Sequence, residues 1–165
     1  MNLLYQNNIA SAEQLLSLCR DKGVTLATAE SCTGGMIGAT ITSVPGSSDI
    51  FLGGIISYAN SAKKSLLNVK ENTLASHGAV SSETAEEMAK GAIQALGATV
   101  AVSVTGIAGP GGQTHEKPVG LVHFSIATKD GTATHCQNFS GSRESIRLKA
   151  VATAIALLEE TVKSL

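Results

Sequence analysis

The chain has no tryptophan, two tyrosines and three phenylalanines among 165 residues. A core built from it must be aliphatic and alanine-rich, since large aromatic payloads are scarce. Cysteine is scarce too. Cys19, Cys32 and Cys136 are an odd count with no C-x-x-C spacing, which excludes a disulfide framework and reads as reduced thiols in a cytoplasmic protein. Neither sign of charge dominates: 12 Lys and Arg against 13 Asp and Glu give a net charge of −1. Nucleic-acid binders carry a basic patch or stripe. The only dense basic group here is Arg143, Arg147 and Lys149, too small to grip a duplex, so no nucleic-acid partner is expected. His77, His115, His123 and His135 lie too far apart for a local zinc motif, so no metal is expected. No apolar run reaches the about 20 residues of a membrane helix. The first eight residues show neither a basic n-region nor a long apolar h-region, so neither a leader nor a membrane partner is expected.

What the chain does have is glycine, seventeen in all, several clustered after apolar runs as if in functional turns. With 43% hydrophobic residues there is ample core material. The length fits one domain, commonly roughly 100–150 residues, and a single domain over 1–165 is expected. Helical spacing of Ala12, Leu15, Leu16 and Cys19 before Gly23 predicts a helix over about 10–22. A strand follows at 24–29, then a helix from about Met36. Residues 50–58 read as a strand interrupted by Gly53-Gly54, a signal of a bulge or of a close backbone approach. A short helix capped by Asn60 or Ser61 is expected to run to Leu67, and a second to follow Asn72 or Thr73. Ser81 and Ser82 cap a helix with Ala85, Met88, Ala89, Ala92, Ile93 and Leu96 on one face and Gly97 as its stop. The apolar run 98–105 suits a central strand covered on both faces. Residues 119–128 and 132–139 form a hairpin pattern, and a last helix runs over about 143–163. This order predicts an α/β fold: a three-layer sandwich with a mixed, mostly parallel sheet flanked by helices.

Four constellations carry chemistry. Glu30-Ser31-Cys32-Thr33-Gly34-Gly35 sits where a strand hands over to a helix, where unpaired backbone N–H groups attract a phosphate or an oxyanion. Ser31 reads as a nucleophile or a plain helix cap, and Cys32 as a nucleophile or a small buried hydrophobe. In Tyr58-Ala59-Asn60-Ser61-Ala62-Lys63, Lys63 would lie in the first turn of a helix, whose positive end disfavours an ammonium. A serine needs a base, and a lysine serves if its pKa falls from about 10.4 toward 7–8. Tyr58 offers a phenol to relay a proton; the plain alternative is a solvated lysine beside an edge aromatic. Thr105-Gly106-Ile107-Ala108-Gly109-Pro110-Gly111-Gly112 follows the most buried-looking strand, where open α/β sheets bind ligands and glycine turns make anion nests. Arg143 and Arg147 share one face in the first turns of the last helix, where cations are unfavourable without an anion; a phosphate, a carboxylate or a salt bridge to Glu144 are the readings.

These residues, with His77-Gly78-Ala79-Val80-Ser81, Glu116-Lys117-Pro118-Val119-Gly120 and Gly141-Ser142-Arg143, occur in the order of one family. The chain resembles the CinA C-terminal domain family, in particular its stand-alone nicotinamide-nucleotide amidases (PncC), over roughly residues 10–162. At 165 residues, the extra N-terminal domain of the larger CinA proteins is not expected. The resemblance implies hydrolysis of nicotinamide mononucleotide to nicotinate mononucleotide and ammonia, in pyridine nucleotide recycling, with no cofactor. It implies Ser31 as nucleophile, Lys63 as base and Tyr58 as the assisting phenol. Thr33, Gly34, Gly35, Gly106, Ala108, Gly109 and Arg143 fall where the family shapes its nucleotide pocket. It also implies a homo-oligomer. Ala59 stands where relatives often carry serine, beside the proposed catalytic set. A non-catalytic nucleotide-binding or interaction domain is the alternative.

Overall fold

A computed structural model describes residues 2–165. The chain runs α1 (Leu3–Lys22), β1 (Leu26–Glu30), α2 (Met36–Thr42), a 3-10 turn (Ser47–Asp49), β2 (Phe51–Ile56), α3 (Asn60–Leu67), α4 (Glu71–His77), α5 (Ser82–Leu96), β3 (Val100–Gly106), β4 (Leu121–Thr128), β5 (Gly131–Asn138) and α6 (Arg143–Ser164). The sheet order is β2-β1-β3-β4-β5. β1 pairs in parallel with both β2 and β3, and β4 runs antiparallel to β3 and β5. Four strands therefore share a direction and β4 opposes them.

Alternation along β3 separates the two helical layers. Val100, Val102 and Val104 join the larger core with Leu15 and Leu16 of α1, Ile37 and Ile41 of α2, and Ile146, Val151 and Ile155 of α6. Ala101 faces the smaller core of Ala27, Ala29, Leu67, Met88 and Ala92, under α3 and α5. A bulge falls at Leu52, just before Gly53-Gly54: pairing steps from Leu26 opposite Phe51 to Ala27 opposite Gly53.

α1 begins seven residues earlier than its apolar spacing predicts. The side chain of Asn2 accepts the Leu4 N–H as an N-cap, and Asn8, a polar residue that breaks the pattern, is buried with its amide donating to the Leu148 carbonyl at 3.0 Å.

One close approach sets the position of α3. Gly91, in the middle of α5, lies against the end of α3, and a Cβ there would overlap the Leu67 carbonyl. Gly91→Ala is expected to cost about 1–3 kcal/mol as an overpacking change. A lowered urea midpoint at unchanged m-value would measure it.

Candidate active site

The parallel strands β1, β2 and β3 end on the same edge of the sheet, the edge at which open α/β folds bind ligands. Two ladder bonds continue past them: the Ser31 N–H donates to the Val104 carbonyl at 2.9 Å, and the Ser57 N–H donates to the Glu30 carbonyl at 2.8 Å. Ser31 and Ser57 thus leave the sheet side by side. The chain after Ser57 turns into α3, and Lys63, in its first turn, points back to the strand ends.

The Lys63 ammonium position is the centre of the site. Its Nζ is 3.0 Å from Ser31 Oγ, 2.7 Å from the Ser57 carbonyl and 3.3 Å from the Tyr58 carbonyl. The residue is 1% exposed and forms no ion pair with a carboxylate among the described residues. Burial without a countercharge disfavours the ammonium, and the Lys63 pKa is lowered from the ordinary lysine value, chiefly by desolvation. When Lys63 is neutral, the two carbonyls hold its two N–H bonds and leave the lone pair to the Ser31 hydroxyl. This is the nucleophile–base contact distance of an activated serine.

Cys32 lies beside this pair and is chemically quiet. Burial pushes its thiol up to about 11, with the Glu30 charge adding to the rise. No hydrogen bond joins it to Lys63 among the described residues, and it packs in the larger core. The sequence leaves nucleophile and buried hydrophobe open for Cys32; its surroundings are those of the second.

Ser31, Cys32, Tyr58, Lys63, Ala79, Val80, Thr105, Gly106, Ile107, Ala108, Gly109 and Arg143 line one cleft of about 290 Å³. That is near the lower end of small-molecule sites, roughly 300–1,000 Å³. A larger groove of about 500 Å³ runs between α4 and α5, but its charges pair with one another, Lys90 with Glu86 and Lys70 with Glu87, and it holds no nucleophile. At the mouth of the Ser31 cleft, Arg143 donates from Nη1 to the Gly109 carbonyl at 2.7 Å and from Nη2 to the Tyr58 phenol oxygen at 3.2 Å. These bonds tie the start of α6 to the loop after β3 and to the end of β2. No carboxylate, Glu144 included, pairs with Arg143 among the described residues, so its charge is available to an anion at the rim.

Several sequence expectations change place. The Tyr58 phenol meets Arg143, not Lys63; Tyr58 reaches Lys63 only through its backbone carbonyl, and its side chain is 62% exposed. Thr33, Gly34 and Gly35 do not line the cleft. The Thr33 hydroxyl and the Gly35 N–H turn away to the buried Glu30 carboxylate, at 2.6 and 3.1 Å. Gly34 and Gly35 have φ of 59° and 95°, and a Cβ on Gly35 would press on Ile56, so these glycines serve the bend of the chain. Arg147 does not share the rim with Arg143. It donates to the carbonyls of Cys32 and Thr33, at 3.1 and 2.9 Å, and these partial negative charges take the place of the expected anion.

Sequence reasoning missed the roles of four residues. The Ser57 carbonyl is invisible to a reading of side-chain types. Ala79 and Val80 enter the cleft because the Thr105 hydroxyl donates to the Ala79 carbonyl at 2.7 Å, drawing the 78–81 loop over the end of β3. Glu30 was legible in principle: an acid at the end of a buried strand, just before a helix start, is a candidate cap for helix N–H groups.

The description "CinA C-terminal domain" matches residues 8–162. A CinA-like protein of Leptospira borgpetersenii is 54% identical over 152 residues, which cover 92% of this chain and 36% of that protein. A CinA-like protein of Thermotoga maritima is 43% identical, over 95% of this chain and 38% of the relative. The chain thus spans little more than a third of the length of these relatives. Among solved structures, the competence/damage inducible protein CihA of Agrobacterium tumefaciens is similar at 40% identity and a TM-score of 0.91, covering 94% of this chain and 95% of its own. A CinA superfamily protein of Klebsiella pneumoniae is similar at 30% identity and a TM-score of 0.93, covering 96% and 99%. No helix among the described residues is long and apolar enough to cross a membrane.

Proposed function

The chain belongs to the CinA C-terminal domain family, and from that premise we propose that it is an amidohydrolase, a nicotinamide-nucleotide amidase acting through Ser31 and Lys63. The observation that carries the reading is the 3.0 Å contact between Ser31 Oγ and the buried Lys63 amine, with which no carboxylate pairs among the described residues. Neutral Lys63 takes the Ser31 proton as Oγ attacks the carboxamide carbon. The Cys32 N–H, for which no backbone carbonyl is an acceptor among the described residues, follows the nucleophile in the chain and donates to the developing oxyanion; one such donor is typically worth roughly 3–4 kcal/mol. The resulting ammonium returns its proton to the departing nitrogen, and ammonia leaves an acyl-serine. Lys63 then draws a proton from water, hydroxide oxygen adds to the ester carbon, and Ser31 recovers its proton as nicotinate mononucleotide is released.

Arg143 supplies remote binding. A guanidinium at the rim, unpaired with any acid, suits the 5′-phosphate, and binding there positions the amide over Ser31. The Tyr58 phenol accepts from Arg143 and borders the same part of the cleft. Arg143→Ala is expected to raise KM for the mononucleotide by roughly tenfold, a loss of about 1.4 kcal/mol, while turnover of the riboside stays near wild type.

The deciding experiment incubates the protein with nicotinamide mononucleotide, the riboside and free nicotinamide and follows ammonia. Preferential release from the mononucleotide supports the reading. Binding of the mononucleotide without release would make the chain a nucleotide-binding module instead.

A further inference from the structure

The turn that carries Ser31 is gripped from two sides by opposite charges, neither of which lines the cleft. On one side the Glu30 carboxylate, 1% exposed, accepts from the Thr33 hydroxyl at 2.6 Å and from the N–H groups of Gly35, Ile37 and Gly38 at 3.1, 3.1 and 2.9 Å. On the other, Arg147 donates from Nε to the Cys32 carbonyl at 3.1 Å and from Nη2 to the Thr33 carbonyl at 2.9 Å. Each charge meets the end of the peptide dipoles that attracts it. The need for such a grip is local: Gly34 and Gly35 both sit at positive φ, so the turn has little stiffness of its own. The contacts begin at Cys32, the residue that follows Ser31.

We propose that Arg147 is a positioning residue for acyl transfer: with Glu30 opposite, it fixes the Cys32 and Thr33 peptides so that Ser31 Oγ and the Cys32 N–H converge on one point in the cleft. The inference rests on the reading of Ser31 and Lys63 as a nucleophile–base pair. Two features single out Arg147 rather than a general packing role. It reaches the turn from α6, 115 and 114 residues away in sequence from the carbonyls it binds. It also uses two prongs of a planar fork on adjacent carbonyls, which the point charge of a lysine cannot reproduce.

The test compares wild type, Arg147→Ala, Arg147→Lys and a Ser31→Ala blank in two assays. One is ammonia release from nicotinamide mononucleotide; the other is acylation of Ser31 by p-nitrophenyl acetate, which needs no nucleotide pocket. For Arg147→Ala, kcat and the acylation rate are expected to fall together by about 100-fold, the scale of a misplaced reacting group. KM is expected to hold within about twofold, since no substrate contact is lost. Millimolar guanidinium chloride restores both rates and urea does not, whereas Arg147→Lys stays impaired. Wild-type acylation in Arg147→Ala overturns the proposal. So does a rate loss that guanidinium leaves unrepaired, which marks Arg147 as a plain structural staple. If Arg147→Ala does not fold, Arg147→Lys decides the matter, and wild-type acylation in it overturns the proposal. Wild-type protein acylated at Ser31 but silent toward the mononucleotide removes the substrate assignment and leaves the Arg147 inference standing on the ester assay. No acylation of wild type at Ser31 removes both.

Discussion

Ser31→Ala is expected to lose ammonia release by on the order of 10⁴–10⁶-fold, the scale seen when a serine nucleophile is deleted from a working dyad or triad. Its affinity for the mononucleotide is expected to persist, because Arg143 and the loop after β3 are untouched. Isothermal titration alongside the ammonia assay separates the two effects. The control is Cys32→Ala. A thiol raised to about 11 is almost entirely protonated at neutral pH, so its removal should leave turnover near wild type. The opposite pattern, with Ser31→Ala active and Cys32→Ala dead, would mean that the nucleophile is the neighbouring residue.

Lys63→Met, which keeps the apolar stem and deletes the amine, is expected to lower kcat by roughly 10²–10⁴-fold, the usual contribution of a positioned base. The pH profile carries a sharper signature. In the proposed mechanism the base is the neutral amine, so wild-type kcat/KM should rise with pH through a midpoint below the ordinary lysine value of 10.5. The same shift acts on stability. The folded pKa of Lys63 is depressed, so the unfolded chain binds the proton more tightly, and unfolding takes up a proton between the folded pKa and 10.5. Stability therefore rises with pH across that window and flattens above it, and the Lys63→Met variant lacks this rise. Urea melts at several pH values measure it. A kcat/KM profile unchanged by Lys63→Met would end its assignment as the base.

Much of the fold was legible because its signals are local. The Ser81 cap, the face of Ala85, Met88, Ala89 and Ala92, and the Gly97 stop place α5 over Ser82–Leu96 from sequence alone. The run around Val100–Val104 marks the doubly covered strand, and the paired runs 119–128 and 132–139 mark the hairpin of β4 and β5. The strand order was not legible, since nothing in the residues of β2 says that it pairs beside β1 at the outer edge. In the site, Ser31, Lys63 and Arg143 were visible through residue type and motif, and the structure brings all three to one cleft. The partners of Tyr58 and Arg147 were not, because they depend on where α6 docks against two loops far away in sequence. A run of glycines does not reveal whether it makes room for a ligand or for a bend; only the direction of the Gly35 N–H, toward Glu30, separates the two.

Ser31 and Ser57 emerge from neighbouring strands stitched together by the Ser57-to-Glu30 bond, so no hinge intervenes between the alcohol and the carbonyls that orient its amine. In the proposed mechanism, the nucleophile–base contact is thus in place before any substrate arrives. Acylation should then be indifferent to viscous cosolvents.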